Sequence, residues 1–149
     1  MEISEIINTI DQSDGKASRT YILEELYWTD LNEFDRESMV NLVIPCALAS
    51  DSKDEIAGAM RLYGNPDGAH IELFEDMIIE LFEKDHLAYI EAATDYPSEG
   101  LDTLYVFRNR SVFNDVETEK KNLLDRVNDD NIKSKIELFF RMYDNLCHT

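Results

Sequence analysis

Cysteine is scarce in this chain of 149 residues, which contains only Cys46 and Cys147. Small secreted domains held together by disulfides use more cysteines in a shorter sequence, so a disulfide framework is not expected. We predict two reduced thiols in buried helical contexts, with a single bridge between them as the alternative. A chain of this length buries roughly 70% of the surface that its unfolded form exposes, and it needs neither a disulfide nor a metal to hold a core.

Long hydrophobic runs are also missing. The sequence has no stretch of about twenty apolar residues, which is the length that a membrane-spanning helix requires. Its first residues, MEISEIINTI, lack the basic region and the continuous apolar stretch of a secretory signal. We therefore expect a cytoplasmic protein that does not enter a membrane.

Lysine and arginine are few, with 14 residues against 32 aspartates and glutamates, which gives a net charge of −18. The excess is confined to residues 1–102, which carry 24 acidic and 6 basic residues, whereas residues 103–149 carry 8 of each. Such a charge repels phosphate groups and attracts cationic partners, which argues against nucleic acid as a ligand. An acidic surface can serve solubility alone, but that role would not require a neutral final third.

The sequence also lacks recognisable motifs for catalysis or metal binding. Neither Gly-rich phosphate-binding loop occurs. Glu83 and His86 match one Glu-x-x-His element of a di-iron bundle, but such a site needs two of these elements and further glutamates. His70 is predicted to be a solvated residue at a helix start, and no base is predicted near Cys46. We therefore predict a protein that is not an enzyme and that binds no metal and no cofactor.

What the sequence does contain is helical periodicity, and the segment Ala69–Glu83 shows it most usefully. Its apolar residues recur with the spacing of one helix face, at Ile71, Phe74, Met77, Ile78, Leu81 and Phe82. The opposite face carries four carboxylates, Glu72, Asp76, Glu80 and Glu83, which we call the acidic stripe. One helix is thus predicted to present an apolar face to the core and an acidic face to water or to a partner.

The remaining segments are predicted to be helical as well. The predicted ranges are about 2–12, 17–28, 36–50, 52–63, 86–94, 101–113, 115–127 and 130–147. In 101–113 the run 104–107 has the composition of a strand, which is the alternative, and a helix is preferred because no other segment offers a strand to pair with it. Asp35 and Asp85 are expected as N-caps, Ser52 and Glu55 form a capping box, and Pro45 is expected to kink or split its helix. Residues 95–100 are predicted to be a loop, because they include Pro97 and Gly100.

A weak internal repeat bears on how these helices are arranged. A shift of 34 residues aligns the apolar positions of residues 17–50 with those of 52–83. The whole chain, 1–149, is therefore predicted to be one all-α domain. Its architecture is expected to be either stacked antiparallel helical hairpins of the HEAT-like type or an irregular helical bundle.

Aromatic residues flank the acidic connector 29–35 and lie in the predicted loop. Trp and Tyr are frequent anchors of protein interfaces, although the connector aromatics can equally close the core at a helix turn. The predicted partner-binding residues are Trp28, Asp30, Glu33, Asp35, Glu72, Asp76, Glu80, Glu83 and Tyr96.

In its acidic, helical character the chain resembles the immunity proteins of bacterial polymorphic-toxin and contact-dependent growth inhibition systems. The resemblance rests on the helical pairs at 17–50 and 52–83 and on the acidic excess of residues 1–102, and it includes no signature motif. It implies that the chain binds and neutralises one cognate basic toxin domain, often a nuclease. The alternatives are a helical adaptor or regulatory scaffold for another basic protein and, from the enzyme class, a helical hydrolase that uses Glu or Asp.

Overall fold

The computed structural model describes residues 33–63 and 70–147, and the predicted helices at about 2–12 and 17–28 lie outside this part. Within the described residues the regular structure is entirely α-helical, which confirms the predicted all-α class. The helices are α1 (Glu33–Leu48), α2 (Lys53–Tyr63), α3 (Ile71–Lys84), α4 (His86–Asp95), α5 (Pro97–Asn109), α6 (Val116–Asp125) and α7 (Asp130–Cys147).

The helices pack into a bundle in which α3 contacts α1, α2, α4 and α5. Helices three apart in the chain also pack, since α2 contacts α5 and α4 contacts α7. In a stack of repeated hairpins each unit would contact only its neighbours. The backbone packing of the pairs α2–α3, α4–α5 and α6–α7 meets that condition, so it fits both predicted all-α arrangements. Residues 17–32 of the proposed repeat lie outside the described part.

An aromatic cluster holds the middle of the bundle together. The ring of Phe82 in α3 lies 5.1–6.3 Å, centroid to centroid, from three other rings. These are Phe107 in α5, Phe139 in α7 and Phe113, which lies between α5 and α6. Most of these pairs are edge-to-face, the arrangement that the quadrupole of the rings favours. The cluster fixes the position of α3 relative to α5 and α7, and with it the direction in which the acidic stripe points.

The junction of α4 and α5 differs from the predicted loop. Helix α5 begins at Pro97, so only Tyr96 separates the two helices and the predicted loop at 95–100 is wrong. Proline suits the first helical position, because its N–H is not needed there and its φ is already helical. Gly100 then allows a close crossing of α4, since a Cβ at this position would lie 2.3 Å from the carbonyl oxygen of Ala93.

Hydrogen bonds buried at this crossing add to the glycine contact. The hydroxyl of Tyr89 donates to Oγ1 of Thr103 at 2.6 Å, and Thr103 donates in turn to the carbonyl of Gly100 at 2.9 Å. Burial raises the pKa of the Tyr89 hydroxyl, which therefore stays protonated and keeps donating. Proline and glycine are typical of loops, which is why a loop was predicted here. The tertiary contact that places them in a helix cannot be seen in the sequence.

Two of the predicted helix starts are correct and one is wrong. Ser52 Oγ accepts from the backbone N–H of Glu55 at 3.2 Å, and Asp85 Oδ1 accepts from that of Ala88 at 3.1 Å. Helix α1 begins at Glu33, so Asp35 lies inside its first turn and is not the N-cap. Acidic residues are favourable both at the N-cap and in the first turn of a helix, so the residue type alone does not show which of the two positions Asp35 takes. Pro45 lies within α1, and the helix is not split there.

Candidate functional site

The candidate site is the outer face of α3. The four residues of the acidic stripe are all exposed, whereas the inner face of the same helix is buried through Phe74, Met77, Ile78, Leu81 and Phe82. Ile71 does not follow its predicted face, because it is the first residue of the helix and is 39% exposed. The helix therefore presents carboxylates on a segment whose other side is fixed in the core.

Arg110 lies across the N-terminal half of this face. Its Nε and Nη2 both donate to Oε1 of Glu75, at 3.2 and 3.1 Å, and its Nη1 donates to Oδ1 of Asp76 at 3.0 Å. Its Nη2 also lies 3.5 Å from the carbonyl oxygen of Glu72. The Asp76 side chain is 60% exposed and that of Glu75 only 13%. One of the predicted stripe residues, Asp76, is therefore already paired within the chain.

The backbone at the end of α5 places Arg110 over α3. The N–H of Val112 donates to the carbonyl of Phe107 at 3.0 Å, and the N–H of Ser111 donates to that of Arg108 at 3.2 Å. These two bonds form a Schellman motif, in which the residue after the C-cap takes a left-handed conformation. Ser111 is that residue, with a φ of 51°, although glycine usually occupies the position. The motif orients the C-cap, Arg110, toward α3.

A second group of charges lies where α4 meets α2 and α7. Lys53 Nζ is 2.7 Å from Asp95 Oδ2, and Lys135 Nζ is 3.2 Å from both Asp95 Oδ1 and Glu91 Oε1. The hydrogen bond that Lys53 donates to Asp95 lowers the pKa of the Asp95 carboxyl and raises the pKa of the Lys53 ammonium. These carboxylates are neutralised inside the chain, so they offer less charge to a partner.

Basic residues from 103–149 thus meet carboxylates from the acidic part of the sequence. Arg110 pairs with Glu75 and Asp76, and Lys135 pairs with Glu91 and Asp95. The unequal charges of the two sequence regions are therefore partly balanced in space. Among the described residues, three stripe side chains have no ion-pair partner, and they are those of Glu72, Glu80 and Glu83.

The other predicted binding residues are not all brought to this face. Tyr96 is half-buried at the junction of α4 and α5, and its hydroxyl donates to Oδ1 of Asp54 at the start of α2. Trp28 and Asp30 lie outside the described residues. Glu33 and Asp35 belong to the first turn of α1, which packs beside α3, and their side chains are outside the described part. Of the predicted binding residues, the structure therefore describes the side chains of the acidic stripe and of Tyr96.

The histidines within residues 70–147 have structural positions. His70 is 5% exposed, so the prediction of a solvated residue is wrong. Its carbonyl accepts the N–H of Phe74 in the first turn of α3 at 3.1 Å. The His86 ring stacks on Phe82 at 4.4 Å. Among the residues that the structure describes, no group of three His, Cys, Asp or Glu side chains is arranged to hold a metal ion.

A cleft that sequence reasoning did not predict lies between the α1–α2 turn and the start of α4. It has a volume of about 340 Å³ and an apolar floor that includes Ile56 and Leu81. Lys84 reaches over it and donates to the carbonyls of Leu48 at 2.9 Å and Ser50 at 3.3 Å. Its rim mixes lysines with carboxylates, so the cleft has no single charge preference that would select a ligand.

Within the described part of the chain, the helices are too short or too polar to cross a bilayer. No protein-family model, curated protein or solved structure matched the chain.

Proposed function

We propose that this chain binds a basic protein through the outer face of α3, and that it acts as an immunity protein that neutralises a cognate toxin domain. A nuclease is the expected class of toxin, and the role of this chain is non-catalytic. The observation that carries the proposal is the exposure of Glu72, Glu80 and Glu83 on a helix whose opposite face is buried.

The physical chemistry of a nuclease supports this pairing. A nuclease holds phosphates with lysine and arginine, so its substrate surface is basic. Carboxylates on a rigid helix compete with phosphates for that surface and lose little conformational entropy on binding, because the helix is already ordered. Complementary charge also accelerates encounter and disfavours neutral or acidic partners. Inhibition would then follow from occupation of the surface that holds the nucleic acid.

The direct test is capture of the partner and rescue of growth. Tagged protein from its native cells should retain one small basic protein, and co-expression of this chain should protect cells from that protein's toxicity. Retention of a basic protein that is not toxic would support the adaptor alternative instead. Failure to retain any basic protein at low salt would contradict both.

A matched pair of charge reversals tests the surface. In the first variant Glu80→Lys is combined with Glu83→Lys, and in the control Asp125→Lys is combined with Glu137→Lys, four positions that are all exposed. Both variants change the net charge equally, but only the first changes α3. We expect the first to slow association with the captured protein at least tenfold more than the control at low salt, and the difference to shrink at high salt. Equal effects would place the binding surface elsewhere.

A further inference from the structure

The Arg110 guanidinium lies against the outer face of α3, on Glu75 and on Asp76 of the acidic stripe, in the way that an arginine from a basic partner would. It contacts one oxygen of Glu75 through two nitrogens and one oxygen of Asp76 through a third. Planar forks of this kind distinguish arginine from lysine, whose ammonium is a compact point charge. The face that is proposed to bind a cationic partner therefore already holds a cation from its own chain.

Two observations indicate that this contact can open without unfolding the end of α5. The turn is held by backbone hydrogen bonds from Ser111 and Val112, and Val112 packs against the core, so the guanidinium is not needed to close it. The Arg110 side chain is 34% exposed, and its partners Asp76 and Glu75 are 60% and 13% exposed. The pair with Asp76 lies at an exposure at which ion pairs are weak. The side chain can therefore leave α3 while the backbone keeps its conformation.

We propose that Arg110 is an intramolecular competitor for the acidic stripe, and that a partner binds by replacing it with an arginine of its own. This inference rests on the proposed function, because it concerns how the same face selects its partner. An internal competitor lowers the apparent affinity for every cation by the fraction of molecules in which the face is open. A guanidinium replaces the lost contacts and an ammonium does not, so the device favours arginine-rich surfaces over lysine-rich ones.

The test uses an oligo-arginine peptide and an oligo-lysine peptide of equal length, titrated into the full chain. We compare the wild type with Arg110→Gln and with the control Arg141→Gln, which removes the same charge from an exposed position on α7. Arg110→Gln should tighten binding of the arginine peptide about two- to fivefold more than the control, as expected for loss of a weak competing ion pair. Equal affinities in the two variants would overturn the proposal. Thermal melts check that both variants are folded at the titration temperature.

A second measurement follows Arg110 itself in the wild type, so it does not depend on a variant. The Nε–H resonance of Arg110 should move to the position of a solvent-exposed arginine as the arginine peptide saturates the chain. A resonance that stays unchanged at saturation would show that the contact with Glu75 persists and would overturn the proposal. The proposed function has a separate failure, because it falls if no basic protein is captured from cells, whatever the peptides do.

Discussion

The two faces of α3 differ in how they are stabilised and in what they can do. The inner face places Phe82 in a cluster of aromatic rings shared with α5 and α7. The outer face carries carboxylates that are exposed, and one of them, Asp76, forms an exposed ion pair. Burial of an aromatic ring stabilises a fold by several times more than an exposed ion pair does. The comparison teaches that the fold depends on the inner face, so the charges of the outer face can change with little effect on stability.

The largest effect is expected from breaking the aromatic cluster. Phe107 is fully buried and contacts the rings of Phe82, Phe113 and Phe139, so Phe107→Ala should lower the free energy of unfolding by about 3–5 kcal/mol. The control is Leu138→Ala, because Leu138 is 37% exposed and should lose less than about 1 kcal/mol. Urea denaturation monitored by circular dichroism measures both. Similar losses in the two variants would show that the cluster does not dominate stability.

A smaller loss is expected at the crossing of α4 and α5. Gly100→Ala would place a methyl group 2.3 Å from the carbonyl oxygen of Ala93, and the helices would have to separate. Overpacking of this kind costs about 1–3 kcal/mol. Ser98→Ala in the same turn is the control, since Ser98 is exposed and the change should stay within about 0.5 kcal/mol. A Gly100→Ala protein as stable as the control would mean that the crossing is looser than the structure describes.

The buried face of α3 and the crossing of α4 and α5 also show what can and cannot be predicted from the sequence. The period of apolar residues identified the buried face of α3, because that period reports directly which side of a helix meets the core. The junction at 95–100 was missed, because Gly100 is needed for contact with Ala93, which is a tertiary property. The burial of His70 was missed for the same reason, since its position at a helix start favours solvent, whereas its burial depends on tertiary packing.

The charge pattern was predicted in outline and misjudged in detail. The exposure of Glu72, Glu80 and Glu83 follows from helical spacing alone. The pairing of Arg110 with Asp76 joins positions 34 residues apart, and it depends on how α5 ends over α3. Counting charges along the chain cannot reveal that pairing. From the sequence, four unpaired carboxylates are therefore expected in the stripe, although Asp76 is paired with Arg110. The binding role of these residues stays a prediction.

The turn that carries Arg110 offers a gain in stability instead of a loss. Ser111 has a φ of 51°, a conformation that costs residues with a Cβ about 1 kcal/mol relative to glycine. Ser111→Gly should therefore raise the free energy of unfolding by roughly 0.5–1 kcal/mol. Ser134→Gly, at an exposed position inside α7, should lower it by a similar amount, because glycine is unfavourable in a helix interior. Two changes of the same sign in urea denaturation would contradict the left-handed assignment.

The smallest effect is expected from the ion pairs of α4, and it depends on pH. The hydrogen bond from Lys53 lowers the pKa of Asp95 below its ordinary value of 3.8. A carboxylate with a lowered pKa in the folded state stabilises the fold above its unfolded pKa, and this contribution is lost as the pH falls through the folded value. Asp95→Asn should therefore be less stable than the wild type at neutral pH by less than about 1 kcal/mol, because exposed pairs are screened.

The pH dependence separates this contribution from any packing effect of the substitution. The stability difference between wild type and Asp95→Asn should begin to shrink below about pH 4, where the carboxyl of the unfolded chain takes up a proton, and should be lost as the pH falls through the lowered pKa of the folded state. Asp125→Asn is the control, since Asp125 is exposed on α6 and has no ion pair among the described residues, so its difference from wild type should change little. If the stability difference for Asp95→Asn stayed constant from neutral to acidic pH, the amide would be disturbing packing. The ion pairs of Asp95 with Lys53 and Lys135 would then contribute nothing measurable to the stability of the fold.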